Sequence, residues 1–399
     1  MTRTTVRQTV KASVMRSINR SAILDIIRYN SPISRSEIAH LLNISLPTVM
    51  RVVDALMGED MVTESGIKEA SGGRPRPLLE FNGGSYSVVG VDLSGADMFG
   101  MVADLSGRIQ IEMSQPLVHG DPEDILNQLY SFIGDLLENP AVCGHAVRGI
   151  GIGAPGVTDY QEGVVSWAPN LGWRNLPLKK LLSERFGMPV LVENDVNLAA
   201  LGEYGFGAGL NIENLVCISI GSGVGAGIII GVTLYHGSRN AAGEVGYLLP
   251  GVQFLGKRYE QFGALESLAS ETAIAARARQ ILTRSGLTFT PDDLRMDRIC
   301  LAAQEGKPWA VELVAEVVDY LSLVVSAVNV LLDPELIVLG GDISQLAVCL
   351  IDPILSKLEG TVPFQPKLVV TTLGSRATVM GAIMMVLNGT MENLFVGRH

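Results

Sequence analysis

The chain has 399 residues, of which 47% are hydrophobic and 18% are charged. This length favours two or three domains, and this composition excludes a globally disordered chain. The 30 basic and 41 acidic residues give a formal net charge of −11, which argues against a protein that binds nucleic acid over its whole surface. The sequence contains no run of about 18 apolar residues free of charge, so no transmembrane helix is predicted.

The four cysteines, at positions 143, 217, 300 and 349, show no spacing typical of metal ligands. Neither a zinc ribbon nor a disulfide scaffold is therefore predicted. This cysteine usage is typical of a reducing compartment, and a cytoplasmic location is expected.

Charge is distributed unevenly along the chain. Residues 1–80 carry 11 basic and 8 acidic side chains, whereas the remainder carries 19 basic and 33 acidic side chains. A basic head on an acidic body predicts that any contact with nucleic acid belongs to the head. A random fluctuation of surface charge is the alternative interpretation.

The head shows the local signals of two short helices joined by a tight turn, after a first helical stripe at 17–29. These signals are a capping box at Ser34 and Glu37, a turn residue at Asn43, and a second cap at Ser45 with Pro47 in the first helical turn. Residues 61–65 and 78–81 then indicate two strands, and the loop between them contains the basic segment 71–76.

Together these elements predict a winged helix-turn-helix DNA-binding domain over residues 1–82. A generic helical hairpin with a flexible loop is the alternative. The side chains expected to reach bases or phosphates are Arg35, Ser45, Leu46, Thr48, Arg51, Arg74 and Arg76.

The body repeats a pattern of strand, glycine turn and strand, first at 86–107 and again at 215–231. Two such hairpins predict a duplicated α/β body with a cleft between its halves. A third glycine turn follows a long apolar helix at 310–332 and lies within 337–344. Such turns present backbone N–H groups that can hold phosphates.

The apolar strand at 190–192 ends abruptly in Glu193, Asn194 and Asp195. Polar groups at the carboxyl end of a strand lie where α/β sheets bind ligands, so Asp195 is a candidate general base for a sugar hydroxyl. Alternatively, Asp195 only caps the helix that follows.

In their order along the chain, these motifs resemble the ROK family, which comprises bacterial sugar kinases and repressors of the xylose or N-acetylglucosamine type. The resemblance implies an actin/hexokinase-like body with a first lobe at 83–195, a second lobe at 196–375 and a C-terminal helix at 376–399 that returns to the first lobe. The winged head with its Gly-Gly-Arg-Pro segment looks like the repressor branch, because the family's kinases lack that head. The family's sugar-contacting positions fall on Asn170, Asn194, Asp195, Glu244 and Glu266.

The sequence departs from the family pattern at its zinc site. Tyr247 stands at the position of a zinc-binding His, residues 253–265 contain no cysteine, and Ala264 stands where the last cysteine is expected. Without thiolate or imidazole ligands no zinc is predicted. Side chains expected to fill this region by packing are Tyr247, Phe254, Leu255, Tyr259 and Phe262.

The first phosphate motif, which resembles residues 92–97, also departs from the family pattern. Ala96 and Asp97 replace the threonine and lysine of the kinases, so a carboxylate stands where phosphates are expected. Binding of ATP is therefore disfavoured, and no cofactor is predicted.

The preferred interpretation is a sugar-responsive transcriptional repressor without catalysis. It predicts double-stranded operator DNA and a sugar or sugar phosphate as partners, a homodimer or dimer of dimers, and no membrane contact. One alternative is a sugar kinase, either as its sole function or in a bifunctional protein, with Asp195 as its catalytic base. Another is a constitutive DNA-binding protein with a vestigial sugar pocket.

Overall fold

The computed structural model describes residues 12–68, 76–118, 120–140, 142, 146–259 and 263–393. Within these ranges no helix combines the length and the apolar character needed to cross a membrane.

The head is a winged helix-turn-helix domain, as predicted. Its elements are α1 (Ala12–Asn30), β1 (Ile33–Ser34), α2 (Arg35–Leu42), α3 (Leu46–Gly58), β2 (Val62–Lys68) and β3 (Arg76–Phe81), and its sheet has the order β1-β3-β2. The capping box of Ser34 and Glu37 opens α2, Asn43 closes it in the left-handed conformation with φ 51°, and Ser45 caps α3. The tip of the wing, which contains Arg74, lies outside the described residues.

The first half of the body is built on a five-stranded sheet of order β11-β7-β4-β5-β6. Its elements are β4 (Tyr86–Asp92), β5 (Asp97–Asp104), β6 (Ile109–Pro116), α4 (Pro122–Leu137), β7 (Ala146–Ala154), α5 (Leu178–Phe186) and β11 (Val190–Asn194). A separate three-stranded sheet contains β8 (Val157–Asp159), β9 (Val164–Ala168) and β10 (Trp173–Leu176).

The second half carries a five-stranded sheet of order β14-β13-β12-β15-β16. Its strands are β12 (Leu215–Ile220), β13 (Val224–Ile230), β14 (Thr233–Leu234), β15 (Leu336–Gly340) and β16 (Leu368–Val370). The helices of this half are α6 (Asp195–Phe206), α7 (Glu266–Ala269), α8 (Glu271–Arg284), α9 (Met296–Gln304), α10 (Pro308–Leu332) and α11 (Ala347–Leu358).

The two five-stranded sheets share one topology. In each, three strands at one edge pair antiparallel, and two further strands extend the sheet in parallel. The predicted hairpins are β4–β5 and β12–β13, which occupy equivalent positions in the two sheets. The two-sheet α/β body predicted from the repeated pattern is therefore confirmed.

The last helix, α12 (Ala377–Asn393), packs on β4 and β7 of the first sheet and crosses α6. The crossing is close enough to require glycine: a Cβ on Gly381 would stand 1.8 Å from the carbonyl oxygen of Leu198, and one on Gly202 would stand 2.1 Å from that of Ala377. Any other residue at these positions would force the two helices apart. Because α6 also packs on β12 and β13, the α6–α12 pair joins the two sheets.

Cys300 on α9 and Cys349 on α11 are paired in a disulfide bond, although no disulfide was predicted. The two residues are 49 positions apart and meet only because α9 and α11 pack together. No local spacing motif could indicate such a pair. Cys217 is buried and free.

Candidate functional site

Carboxyl groups of both halves of the body lie close together in the region between the two sheets, which we call the cleft. Two of them lie at the ends of strands. Asp92 is the last residue of β4, and Asp195 directly follows β11. Both strands run parallel to β7, which lies between them, so their carboxyl ends meet at one edge of the sheet. Asp92 is 8% exposed, and its Oδ1 accepts a hydrogen bond from the backbone N–H of Ser94 at 2.9 Å.

Asn194 caps α6, so the interpretation of Asp195 as the helix cap is wrong. The Oδ1 atom of Asn194 accepts hydrogen bonds from the N–H groups of Val196 and Asn197, each at 3.0 Å. Its Nδ2 donates to the carbonyl oxygen of Gly156 at 2.8 Å and to Oδ1 of Asp195 at 2.9 Å. These four bonds use the whole hydrogen-bonding capacity of the amide, so in this arrangement Asn194 orients Asp195.

Asp195 lies in an environment that opposes ionisation. Burial raises its pKa to about 8, and repulsion by Asp92 and then by Glu244 adds to the effect. Burial likewise raises the pKa of Asp92 to about 6, although hydrogen bonds from Ser94 oppose this shift. A carboxyl group with such a pKa exchanges its proton near neutral pH, which is the property required of a general base.

Glu244 and Glu266 complete the carboxylate cluster. Neighbouring protein atoms partly exclude water from the carboxyl group of Glu244, and this burial raises its pKa. The residue as a whole is nevertheless exposed. The pKa of Glu266 is also raised, first by burial and further by Glu244, while a hydrogen bond from the N–H of Val224 at 3.4 Å opposes the shift. The structure therefore brings the predicted residues Asp195, Glu244 and Glu266 together.

Asn170, the remaining predicted sugar contact, is exposed in the turn Pro169–Leu171. This turn follows Trp167, whose carbonyl oxygen would lie only 2.0 Å from a Cβ on Gly156. The segment just before Asn170 therefore contacts Gly156. Asn194 donates a hydrogen bond to the carbonyl oxygen of the same glycine.

The structure adds contacts in the cleft that were not predicted, although Glu193 itself was noted at the end of the apolar strand at 190–192. Glu193 is only 3% exposed and accepts a hydrogen bond from Nε2 of His236 at 2.7 Å. The ring of His236 stacks on Tyr160 at 3.7 Å between centroids. The Thr378 hydroxyl donates to the carbonyl oxygen of Asp195 at 3.3 Å and hydrogen-bonds with Asp92. Because these partners are more than 40 residues apart, only the folded chain reveals them.

The glycine turns on the far side of the cleft also carry acids. Oδ2 of Asp342 lies 3.0 Å from where a Cβ of Gly221 would stand, and the N–H of Glu271 donates to the carbonyl oxygen of Gly221 at 2.8 Å. The pKa of Glu271 is raised first by burial and then by Asp342, and only partly lowered by Arg295. Anionic side chains thus stand beside the second and third glycine motifs.

The segment that corresponds to the family's zinc site was expected to bind no zinc and to be filled by packing. Within the described ranges, no cluster of three His, Cys, Asp or Glu side chains has a geometry that could hold a metal ion. The expected replacement by packing is wrong for two residues, because Tyr247 is 57% and Leu255 is 64% exposed. Phe254 and Tyr259 are half-buried, and Phe262 lies outside the described residues.

The head places the predicted DNA contacts in different environments. Ser45, Leu46 and Arg51 are exposed and Thr48 is half-buried at the start of α3. Arg35 forms ion pairs with Glu64 at 3.1 Å and with Asp54 at 3.5 Å. Its guanidinium group therefore contacts other elements of the head. Arg76 is exposed and donates to Oγ of Ser36 at 2.9 Å, which ties the base of the wing to α2.

Fold and site together define a class of protein: a winged helix-turn-helix head joined to a duplicated α/β body with an acidic cleft. Residues 16–63 match the winged helix-turn-helix DNA-binding pattern, and residues 88–388 match the ROK family pattern. The chain belongs to the ROK family, and its head places it in the branch of transcriptional regulators.

Three relatives illustrate this placement. The chain is 30% identical over 395 residues to the xylose repressor of Caldicellulosiruptor bescii, a match that covers 95% of this chain and 98% of the relative. It is similar to the crystal structure of a ROK family transcriptional regulator, a homologue of the Escherichia coli Mlc protein, with a TM-score of 0.83, 27% identity and coverage of 96% and 98%. A ROK glucokinase from Streptomyces griseus in complex with glucose and AMPPNP matches with a TM-score of 0.64, 30% identity and coverage of 75% and 98%.

Proposed function

We propose that this protein is a transcriptional repressor that binds operator DNA through its head and is released by an uncharged sugar bound in the cleft. The observation that carries the proposal is that a single helix, α12, contacts both the cleft and the core of the head. Its second residue, Thr378, contacts Asp92 and Asp195 in the cleft. Farther along, the helix enters the hydrophobic core of the head.

The head and α12 share this core. Side chains of α1, such as Ile23 and Ile27, belong to the same buried cluster as Val379 and Ile383 of α12. A shift of α12 when the cleft closes on a sugar therefore moves the surface against which the head packs. A tenfold change in operator affinity requires only about 1.4 kcal/mol of difference in sugar affinity between two head arrangements.

The charges of the cleft favour an uncharged sugar. Carboxylates accept hydrogen bonds from hydroxyl groups. Among the residues that the structure describes, no basic side chain contributes to the raised pKa of Asp92, Asp195, Glu244 or Glu266. A phosphorylated sugar would bring a further anion to these groups and would be repelled. The names of the relatives make xylose and glucose the first sugars to test.

Catalysis is not part of this proposal. Asp97 opens β5 beside the first glycine turn, and Asp342 and Glu271 stand beside the others, so the nucleotide side of the cleft presents negative charge to ATP phosphates. The rival function is an ATP-dependent sugar kinase. One observation favours it: the pKa of Asp195, raised to about 8, suits a general base.

The test measures operator affinity of the full chain while neutral sugars and their phosphates are titrated. Wild-type protein should lose operator affinity with one neutral sugar, and Asp195→Asn should need a higher concentration of it, since an amide NH2 donor replaces one of the carboxyl oxygens. If no sugar changes operator affinity, the constitutive DNA-binding alternative replaces this proposal. Sugar-dependent consumption of ATP would support the kinase instead.

The proposed operator has two half-sites related by a dyad, and two copies of the chain bind it. A single recognition helix reads only a few base pairs, so a second head is needed for specific affinity. Separating the half-sites by an extra half turn of DNA should abolish high-affinity binding.

A further inference from the structure

The recognition helix presents an unexpectedly apolar surface. Leu46 is 43% exposed and Met50 is 47% exposed, and they lie one helical turn apart on the same side of α3. The buried face of this helix is formed by other residues: Val49, Val52, Val53 and Leu56. Leu46 and Met50 are therefore not required for the core of the head.

The polar groups next to this pair are largely engaged within the protein. Oγ of Ser45 accepts a hydrogen bond from the N–H of Thr48 at 3.4 Å, and the two hydroxyl groups bond to each other at 2.8 Å. Only one of the two hydroxyl hydrogens is left for a base edge. Farther along the same side of the helix, Asp54 is paired with Arg35.

In the major groove, the apolar feature of a base edge is the 5-methyl group of thymine, which cytosine, adenine and guanine lack. Side chains without a strong donor or acceptor can contact this methyl group but offer no good partner to the donors and acceptors of the other bases. We infer that Leu46 and Met50 contact thymine 5-methyl groups and set a preference for A·T pairs at the positions they face. Neighbouring Arg51, which is exposed, is placed for a phosphate or a guanine.

This inference rests on the proposed function, because it requires that α3 enters the major groove. The test first selects high-affinity duplexes from a random pool with the full-length protein. Each thymine of a selected half-site is then replaced by deoxyuridine, which lacks only the 5-methyl group. One or two replacements per half-site should weaken wild-type binding by about fourfold each, the factor that corresponds to about 0.8 kcal/mol for one buried methyl-sized group.

The alanine variants connect the methyl group to the side chain. Leu46→Ala and Met50→Ala should each weaken binding to the thymine duplex, and each should remove the deoxyuridine penalty at its own position. Leu41→Ala is the matched control, because Leu41 is an exposed leucine of the same domain on α2. Leu41→Ala should lose as much affinity as the wild type when thymine is replaced by deoxyuridine.

Two results would overturn the inference. One is a selected duplex that tolerates deoxyuridine at every position, and the other is a penalty that persists undiminished in both variants. Failure to select any duplex is a different result, since it would contradict DNA binding by the head. Thermal melting of the variants confirms that each is folded before its affinity is measured.

Discussion

Asp195 shows how one residue acquires its chemistry from its surroundings. Its carboxyl group is oriented by Asn194, faces Asp92 and Glu244, and ionises with a pKa raised to about 8. In the unfolded chain the same group ionises near pH 4. The folded state therefore holds an extra proton between these pH values, and the free energy of unfolding falls as the pH rises from about 4 to about 8.

Asp195→Asn should remove this contribution, because an amide does not titrate. The free energy of unfolding of the variant should decline less between about pH 5 and pH 8, and its difference from the wild type should grow by up to about 1.4 kcal/mol per pH unit. The measurement is urea unfolding of both proteins across this pH range.

The matched control is Asp352→Asn, which changes an exposed carboxyl group on α11. It should leave the pH dependence of the wild type unaltered. If the free energy of unfolding changes equally with pH in wild type and in Asp195→Asn, the raised pKa does not belong to Asp195.

At the scale of elements, α12 is the connection between the cleft and the head. Thr378→Val keeps the shape of the side chain but removes the hydroxyl group that contacts Asp92 and the carbonyl oxygen of Asp195. We expect sugar and operator each still to bind, while the sugar-induced change in operator affinity shrinks several-fold. Operator affinity with and without saturating sugar measures this effect.

Thr378→Ser retains the hydroxyl group and should behave like wild type. If the coupling in Thr378→Val is equal to that of the wild type, the signal does not pass through this contact. A loss of sugar binding itself would instead assign Thr378 to the pocket.

The wing is the second element with a testable role. Replacing Arg74 and Arg76 by alanine should weaken operator binding and flatten its salt dependence by roughly one unit of slope for each lost phosphate contact. The measurement is operator affinity over a salt series. Arg284→Ala, on the exposed end of α8, is the control, and its salt slope should equal that of the wild type.

If the wing variants show the wild-type affinity at every salt concentration, the wing does not contact DNA. If sequence preference relaxes beside the half-sites as well, the arginines lie in an A·T-rich minor groove.

At the scale of the whole molecule, the body has two sheets, and its sequence lacks the zinc ligands that the resemblance to the family implies. Tyr247 stands where the family places a histidine and is exposed, and Ala264 is buried where a cysteine is expected. We expect protein purified without chelator to contain less than about 0.1 zinc per chain, because no thiolate or imidazole is available there to bind the metal tightly. EDTA should leave its melting temperature unchanged.

Elemental analysis and thermal melting with and without EDTA measure both quantities. One zinc per chain would mean that residues 253–265 are wrongly matched to the family. Tyr247 and Leu255 are exposed and do not supply the packing that was expected to replace the metal, whereas Phe254 and Tyr259 are half-buried.

The sequence alone determined the features that depend on neighbours in the chain. Ser34, Asn43 and Ser45 took their predicted roles because a cap or a turn is satisfied by backbone groups within four residues. The two hairpins of the body were predicted for the same reason, and their repetition indicated the duplicated architecture.

The tertiary structure alone decided which distant residues meet and which are removed from water. Asp92 and Asp195 are far apart in the chain, yet parallel strands bring them to one sheet edge, where burial raises both pKa values and repulsion by Asp92 raises that of Asp195 further. Helix packing likewise brings Thr378 to the carbonyl oxygen of Asp195. It also brings Cys300 to Cys349. Burial and long-range charge depend on the path of the whole chain, so no local pattern of residues encodes them.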